Sequence, residues 1–427
     1  MKPVDLYLHN ADQVVTCAPC SPGMPRRGSD MVSVHAIEHG SVAVEAGVIA
    51  AVGPAEDLDG RYTGKQTIDC RGRSLCPGFV DAHTHTVFGG ARAAEFEMRI
   101  KGVSYLEIMA AGGGIVSTVR QTRAAAVDEL VSSAAARLDE MLALGTTTVE
   151  IKTGYGLSAA DELKMLRVIE QLDRDHPCDI VPTFLGAHAM PPEFEGDSEA
   201  YTRCVIDEIL PDAAAWYQSS RFAAQGVPLH VDVFCEDHAF DLSQSRRVLE
   251  AGLNAGLKAK MHVDQFNDFG GVAMAVELGA ASVDHLDVTG REAIESLARS
   301  DSIAVLLPAV NFNLSMADYA DGRAMMEADA VVALATDLNP GSAPCPSMPA
   351  VMAIACRYQR FTPAEALNAS TINAAFAIGQ GDRTGSIEVG KRADILLLNE
   401  ADYRHIPYFF GGNPVHTVIK NGQVLNP

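Results

Sequence analysis

Basic residues are scarce: 33 Lys and Arg stand against 55 Asp and Glu, a formal net charge of −22 over 427 residues. Nucleic acid and anionic membranes are gripped by clustered cations, so a chain this acidic is suited to neither. No stretch approaches the roughly eighteen consecutive apolar residues of a membrane-spanning helix. The start, Met1-Lys2-Pro3-Val4-Asp5, lacks the basic segment and apolar run of a secretory signal, and the expected address is cytoplasmic. Nine cysteines, an odd number, are scattered as reduced thiols are; Cys17 and Cys20 form a lone C-x-x-C with no second pair and read as thiols in a polar loop. Neither G-x-G-x-x-G nor G-x-x-x-x-G-K-[ST] follows an apolar strand, which removes the phosphate-cradling loops of nucleotide-binding sheets. A small molecule remains as partner. An anionic one would need a local cation to overcome the field of the whole protein.

What is present is an α/β pattern framed by β structure. Val42-Ala43-Val44 and Val48-Ile49-Ala50-Ala51-Val52 alternate around Glu45-Ala46-Gly47 as a hairpin does, and 417–425 carries an Asn421-Gly422 turn beside the apolar run 393–398. Both ends being β, residues 1–75 and 383–427 are expected to build one small β-sandwich. Between them, 76–382 alternates apolar strands with helical stretches. Strands are expected at 79–85, 146–152, 180–188, 230–236, 257–263, 281–286, 303–308 and 331–337, with helices at 124–144, 159–172 and 243–255 among the intervals. Eight such units fit a TIM (β/α)8 barrel better than an open doubly wound sheet.

In a barrel, chemistry sits at the C-terminal ends of the strands. The first strand ends in His83-Thr84-His85, where alternation would aim both imidazoles into the mouth. The fifth ends at His262, the sixth at His285 and the eighth at Asp337. Each alone is an ordinary strand terminus. Together they make an N/O-rich donor set suited to a single divalent or trivalent ion, zinc or iron.

Two segments resemble the amidohydrolase superfamily: Pro77-Gly78-Phe79-Val80-Asp81-Ala82-His83-Thr84-His85, and 385–394, which reads GSIEVGKRAD. The fourth strand, Val231-Asp232-Val233-Phe234-Cys235-Glu236, has no lysine where binuclear members carry one, which implies a mononuclear centre. More specific segments resemble the imidazolonepropionase family: 87–92, Ser104-Tyr105, 111–115, Lys152-Thr153-Gly154-Tyr155-Gly156-Leu157, Gly186-Ala187-His188-Ala189 and 337–342. The resemblance implies His83, His85, His262 and Asp337 as metal ligands. It implies Arg92, Tyr105, Tyr155, His188, Gln265, Asn339, Gly341 and Ser342 around the substrate. The implied reaction opens the ring of 4-imidazolone-5-propanoate to give N-formimino-L-glutamate, a step of histidine degradation. The alternative is another mononuclear amidohydrolase, a deaminase of a purine, a pyrimidine or an N-formimino amino acid. A homodimer is the default assembly.

The expected chemistry runs through His285, which, aided by Asp337, takes a proton from a metal-activated water and returns it to the leaving ring nitrogen. Arg92 would grip the propionate. His188 would meet a ring carbonyl or a developing oxyanion. Gln265, where some relatives carry glutamate, can orient groups but cannot act as a base. Lys260 lies two residues before His262 and therefore turns inward, so a carboxylate partner is expected from Glu150, Asp232 or Glu236.

Overall fold

Alternating apolar residues at the two ends of the chain assemble into one mixed sheet. In the computed structural model, which describes residues 1–103, 107 and 112–425, strands β1 (Lys2–Val15), β2 (Ala36–Glu45), β3 (Val48–Pro54), β4 (Tyr62–Asp69) and β5 (Ser74–Pro77) come from the N-terminal end. The barrel follows with β6 (Phe79–Asp81), β7 (Thr146–Lys152), β8 (Asp179–Ala187), β9 (His230–Cys235), β10 (Lys258–Val263), β11 (Ser282–His285), β12 (Ile303–Leu306) and β13 (Val332–Leu334). Strands β14 (Ile395–Leu398), β15 (Val415–Lys420) and β16 (Gln423–Leu425) return to the first sheet, whose order is β16-β15-β14-β5-β1-β2-β3, with β4 also paired to β1.

Both hairpin turns have left-handed backbone at two successive positions: Ala46 (φ 52°) with Gly47 (φ 79°), and Asn421 (φ 48°) with Gly422 (φ 73°). That geometry matches the twist of the flanking antiparallel strands. Strand β1 slips register between Leu8 and Ala11, and its two halves pair with β4 and β5 in turn. The sheet thereby folds over itself into a small sandwich around Leu6, Leu8, Val42, Leu75, Ile395 and Ile419.

The barrel strands are parallel and hydrogen-bonded in sequence order from β6 to β13. The tube closes where Thr84 pairs with Leu338, with the Asp337 N–H donating to the His83 carbonyl at 3.0 Å and the His85 N–H to the Leu338 carbonyl at 2.9 Å. All eight expected strands are present, but several stop short of the mouth. Strand β6 ends at Asp81 and β13 at Leu334, so His83, His85 and Asp337 lie beyond the regular ladder. Alternation along a strand is therefore not what aims them. The bonds across the closing seam do, together with left-handed backbone at Asp337 (φ 53°). Among the described residues, no helix is long and apolar enough to cross a membrane.

Candidate active site

Five side chains from four parts of the barrel meet at its mouth. His83, His85 and His262 each offer a ligand atom within 4.8 Å of the others, and His83, His285 and Asp337 form a second such group. Asp337 Oδ1 lies 3.5 Å from His83 Nε2 and 3.4 Å from His85 Nε2. These atoms are buried yet unsatisfied: His83 Nε2, His262 Nε2 and Asp337 Oδ1 have no hydrogen-bond partner. Buried polar atoms are normally paired, so a cluster of orphans with ligand chemistry fits a cation.

The far side of each ring explains the orientation. His83 Nδ1 donates to Asp284 Oδ2 at 2.6 Å, which leaves Nε2 with its lone pair. His262 Nδ1 stands 3.0 Å from Asp232 Oδ2, in ion-pair range though not aligned as a hydrogen bond. Burial pushes His83, His85 and His285 well below the usual histidine range, so they are neutral, the form that binds metal. Burial pushes the Asp337 carboxyl well up, and a cation at its free oxygen acts in the opposite sense.

Beneath the rings lies a buried ionic network. Lys152 Nζ reaches Glu150 at 2.8 Å, Asp232 at 2.9 Å and Asp284 at 3.6 Å. Burial opposes its charge, but Asp232, Glu150 and Asp284 outweigh that and hold its pKa well above the ordinary lysine value. Lys260 is buried and points inward, as alternation requires, but its partner differs from the three expected. It donates to the Ala82 carbonyl at 3.0 Å and lies 3.7 Å from Asp284. Glu150 and Asp232 are taken by Lys152, while Glu236 accepts from the Phe266 N–H at 2.9 Å and Asn267 Nδ2 at 2.7 Å.

Around the mouth, a cavity of about 680 Å³ is lined by His85, Tyr155, His188, His262, Gln265, His285 and Asp337, with Arg92, Asn339, Gly341 and Ser342 further along its wall. Tyr105 lies outside the described residues. His285 closes β11 with left-handed backbone (φ 85°), and its Nδ1 stands 4.0 Å from Asp287. Asp287 is in turn held by Asn311 Nδ2 at 3.0 Å, which gives the segment after β12 a bracing role. His188 stacks on His85, ring centroids 4.9 Å apart, and its Nδ1 donates to the Gly154 carbonyl at 3.0 Å. Burial pushes its pKa down to about 3, so the ring is neutral and Nε2 is an acceptor. A neutral acceptor cannot donate to a carbonyl or an oxyanion, the role expected of His188. It can receive a ring N–H.

Arg92 faces the cavity with a partner already in place. Its Nε and Nη2 donate to Glu95 Oε2 at 2.9 and 2.7 Å. Gly341 lies against it, and an added Cβ there would stand 2.2 Å from Arg92 Nη1 and push the guanidinium aside. Asn339 spends its amide inside its own loop, donating to Asp337 O and Ser342 Oγ and accepting from the Gly341 and Ser342 N–H groups, so it shapes the wall. Glu95, Arg99, Phe234, His238 and Phe266 also line the cavity and were not singled out from the sequence. Phe234 had a signal, since it lies between Asp232 and Glu236 on the inward register of β9; Arg99 follows Arg92 by two helical turns. Arg99 Nη2 donates to the Gly341 carbonyl at 3.1 Å, and the guanidinium makes no ion pair among the described residues.

A third group of possible ligands, Cys20, Asp30 and His35, lies in the N-terminal loop, and Cys17 is not part of it. Arg26 Nη2 stands 2.8 Å from Asp30 and 3.4 Å from His35, so a guanidinium already supplies the positive charge there.

The amidohydrolase family model matches residues 222–425. The imidazolonepropionase of Chloroflexus aggregans is 54% identical over 425 residues, covering 100% of this chain and 99% of that protein. The imidazolonepropionase of Herpetosiphon aurantiacus is 51% identical, covering 100% and 98%. Among solved structures, a triazine hydrolase variant superposes with a TM-score of 0.74 at 18% identity, covering 98% of this chain and 94% of that one. An adenosine deaminase from Xanthomonas campestris with bound zinc gives 0.71 at 20% identity, covering 99% and 93%. At such identities these two carry the fold alone.

Proposed function

Because the chain belongs to the imidazolonepropionase family of amidohydrolases, we propose a division of labour among its cavity residues. The enzyme is a hydrolase that opens the ring of 4-imidazolone-5-propanoate to N-formimino-L-glutamate, a step of histidine degradation. His83, His85, His262 and Asp337 hold one zinc or iron ion. Their orphaned, buried donor atoms support this set. When bound, the ion supplies Lewis-acid polarisation and a nucleophile at neutral pH.

The chain's own residues do the rest. Asp284 and Asp232, behind His83 and His262, fix which ring nitrogen faces the cavity. His285, neutral and close to Asp337, receives the proton of the attacking water. It returns that proton to the ring nitrogen as the carbon–nitrogen bond breaks, so one water is consumed and no charge is left over. Gln265 orients the ring, and His188 Nε2 accepts a ring N–H. At the other end, Arg92, with Tyr155, Tyr105 and Ser342, receives the propionate.

The observation that carries this reading is one cavity with ligand atoms on its floor and guanidinium on its wall, in a protein of net charge −22. A deaminase of a neutral base has no use for that cation. Arg92→Ala should cost at least about thirtyfold in kcat/KM, roughly 2 kcal/mol of lost transition-state binding, and it also leaves Glu95 facing the substrate unpaired. The loss should shrink sharply on an analogue whose carboxylate is an amide. Equal losses on both substrates would make Arg92 a structural residue and remove the anion-binding role.

A further inference from the structure

Glu162 is a buried carboxylate that neither the ligand floor nor the substrate wall contains. It lies in the first turn of the helix Ala159–Asp175, 1% exposed, and makes no ion pair among the described residues. Its oxygens serve a single loop. Oε1 accepts from the Gly156 and Leu157 N–H groups at 2.8 Å each and from the Gly154 N–H at 3.2 Å, with Oε2 3.3 Å from the same Gly154 nitrogen. Burying a carboxylate is costly unless donors surround it, and every backbone donor here comes from the turn that follows β7.

That turn is fixed on its other faces too. Arg123 Nε donates to the Gly156 carbonyl at 2.7 Å and its Nη2 to the Leu157 carbonyl at 3.2 Å. Gly154 has φ +102°, and a Cβ there would stand 2.8 Å from His188 Nδ1. At Gly156 a Cβ would lie 2.5 Å from the Glu162 nitrogen. The loop therefore has no slack. Its Gly154 carbonyl receives His188 Nδ1 at 3.0 Å, and its Tyr155 lines the cavity.

We propose that Glu162 is a positioning residue for His188: by holding the amides of 154, 156 and 157 it presents the Gly154 carbonyl to Nδ1 and so keeps Nε2 as the acceptor facing the substrate. The proposal rests on the reading of His188 as a substrate-contacting group. Glu162 itself touches no reacting atom.

Two measurements on the full-length, zinc-loaded enzyme test it. Nitrogen NMR of histidine-labelled protein, with His188→Ala identifying the His188 signals, should show the Nδ1–H tautomer in the parent and a mixed tautomer in Glu162→Ala. Glu162→Gln should restore the parent spectrum, because its carbonyl oxygen can accept the same three bonds. In kinetics, Glu162→Ala should lower kcat/KM by about tenfold, the low end for losing a group that orients an imidazole, with zinc content unchanged. The double variant with His188→Ala should lose no more than His188→Ala alone, since one residue acts through the other. An unchanged tautomer, or losses that multiply, would overturn the relay. Parent-like kinetics in His188→Ala would sink the substrate role of His188, while the tautomer comparison would still decide the relay. If Glu162→Ala does not fold, Glu162→Asp, shorter by one methylene, takes its place in both measurements.

Discussion

Inside the sandwich, Leu8, Val14, Val42, Leu75, Ile395 and Ile419 pack with no charged side chain among them, whereas the centre of the barrel holds Asp81, Glu150, Lys152, Asp232, Lys260 and Asp284, all at 0% exposure. Both interiors are buried, but they are stabilised in different ways. Apolar burial contributes roughly 25 cal/mol per Å² and needs only volume and shape. A buried ion loses several kcal/mol of hydration that only well-placed partners offset, and apolar replacements of whole ion-pair networks are often neutral or stabilising. Stability therefore does not account for the barrel's charges. Their position does: Asp284 meets His83, Asp232 meets His262, and Lys152 neutralises both carboxylates from below. One interior holds the termini together; the other orients the histidines at the mouth.

The contrast can be broken at three points, in order of expected effect. His262→Ala or Asp337→Ala, each removing one of four proposed ligands, should abolish turnover and weaken metal retention by elemental analysis; full activity without metal in either variant would end the site assignment. Next, Lys152→Met leaves Glu150, Asp232 and Asp284 crowded around a single remaining lysine. Breaking such a network costs roughly 3–5 kcal/mol, read as a lower denaturant midpoint, and metal affinity should fall with it because the acceptors behind His83 and His262 shift. A parent-like midpoint would mean that the network is solvated and that the contrast between the interiors is false. The smallest effect belongs to the sandwich: Ile419→Val should cost about 0.5–1.5 kcal/mol and leave kcat/KM and metal content untouched. Lost metal in that variant would show that the two interiors are coupled.

The meeting of His83, His85, His262, His285 and Asp337 at the mouth was legible because four segments carry ligand-type residues where strands end, and the eight strands themselves followed from the apolar pattern. What remained hidden was set by relations between elements. Lys260 was read as inward and paired, but its partner depends on the stagger of β10 against β11, which sets Lys260 opposite Ser282 and places Asp284 two residues further along the same face. Glu95 and Arg99 sit on the helix Ala93–Ile100, and which side of that helix meets the cavity depends on its rotation. The Gly154 carbonyl that holds His188 Nδ1 was hidden as well, because a backbone carbonyl has no letter in the sequence.

The seam that closes the barrel has a consequence in time. His83 and His85 belong to the first strand's end and Asp337 to the last, and the Thr84–Leu338 bridge across the closing seam is what sets them side by side. During synthesis a chain halted before its final barrel strand owns the two early histidines but no fourth donor and no closed mouth. On the proposed ligand set, an ion therefore finds all four donors only in the closed barrel.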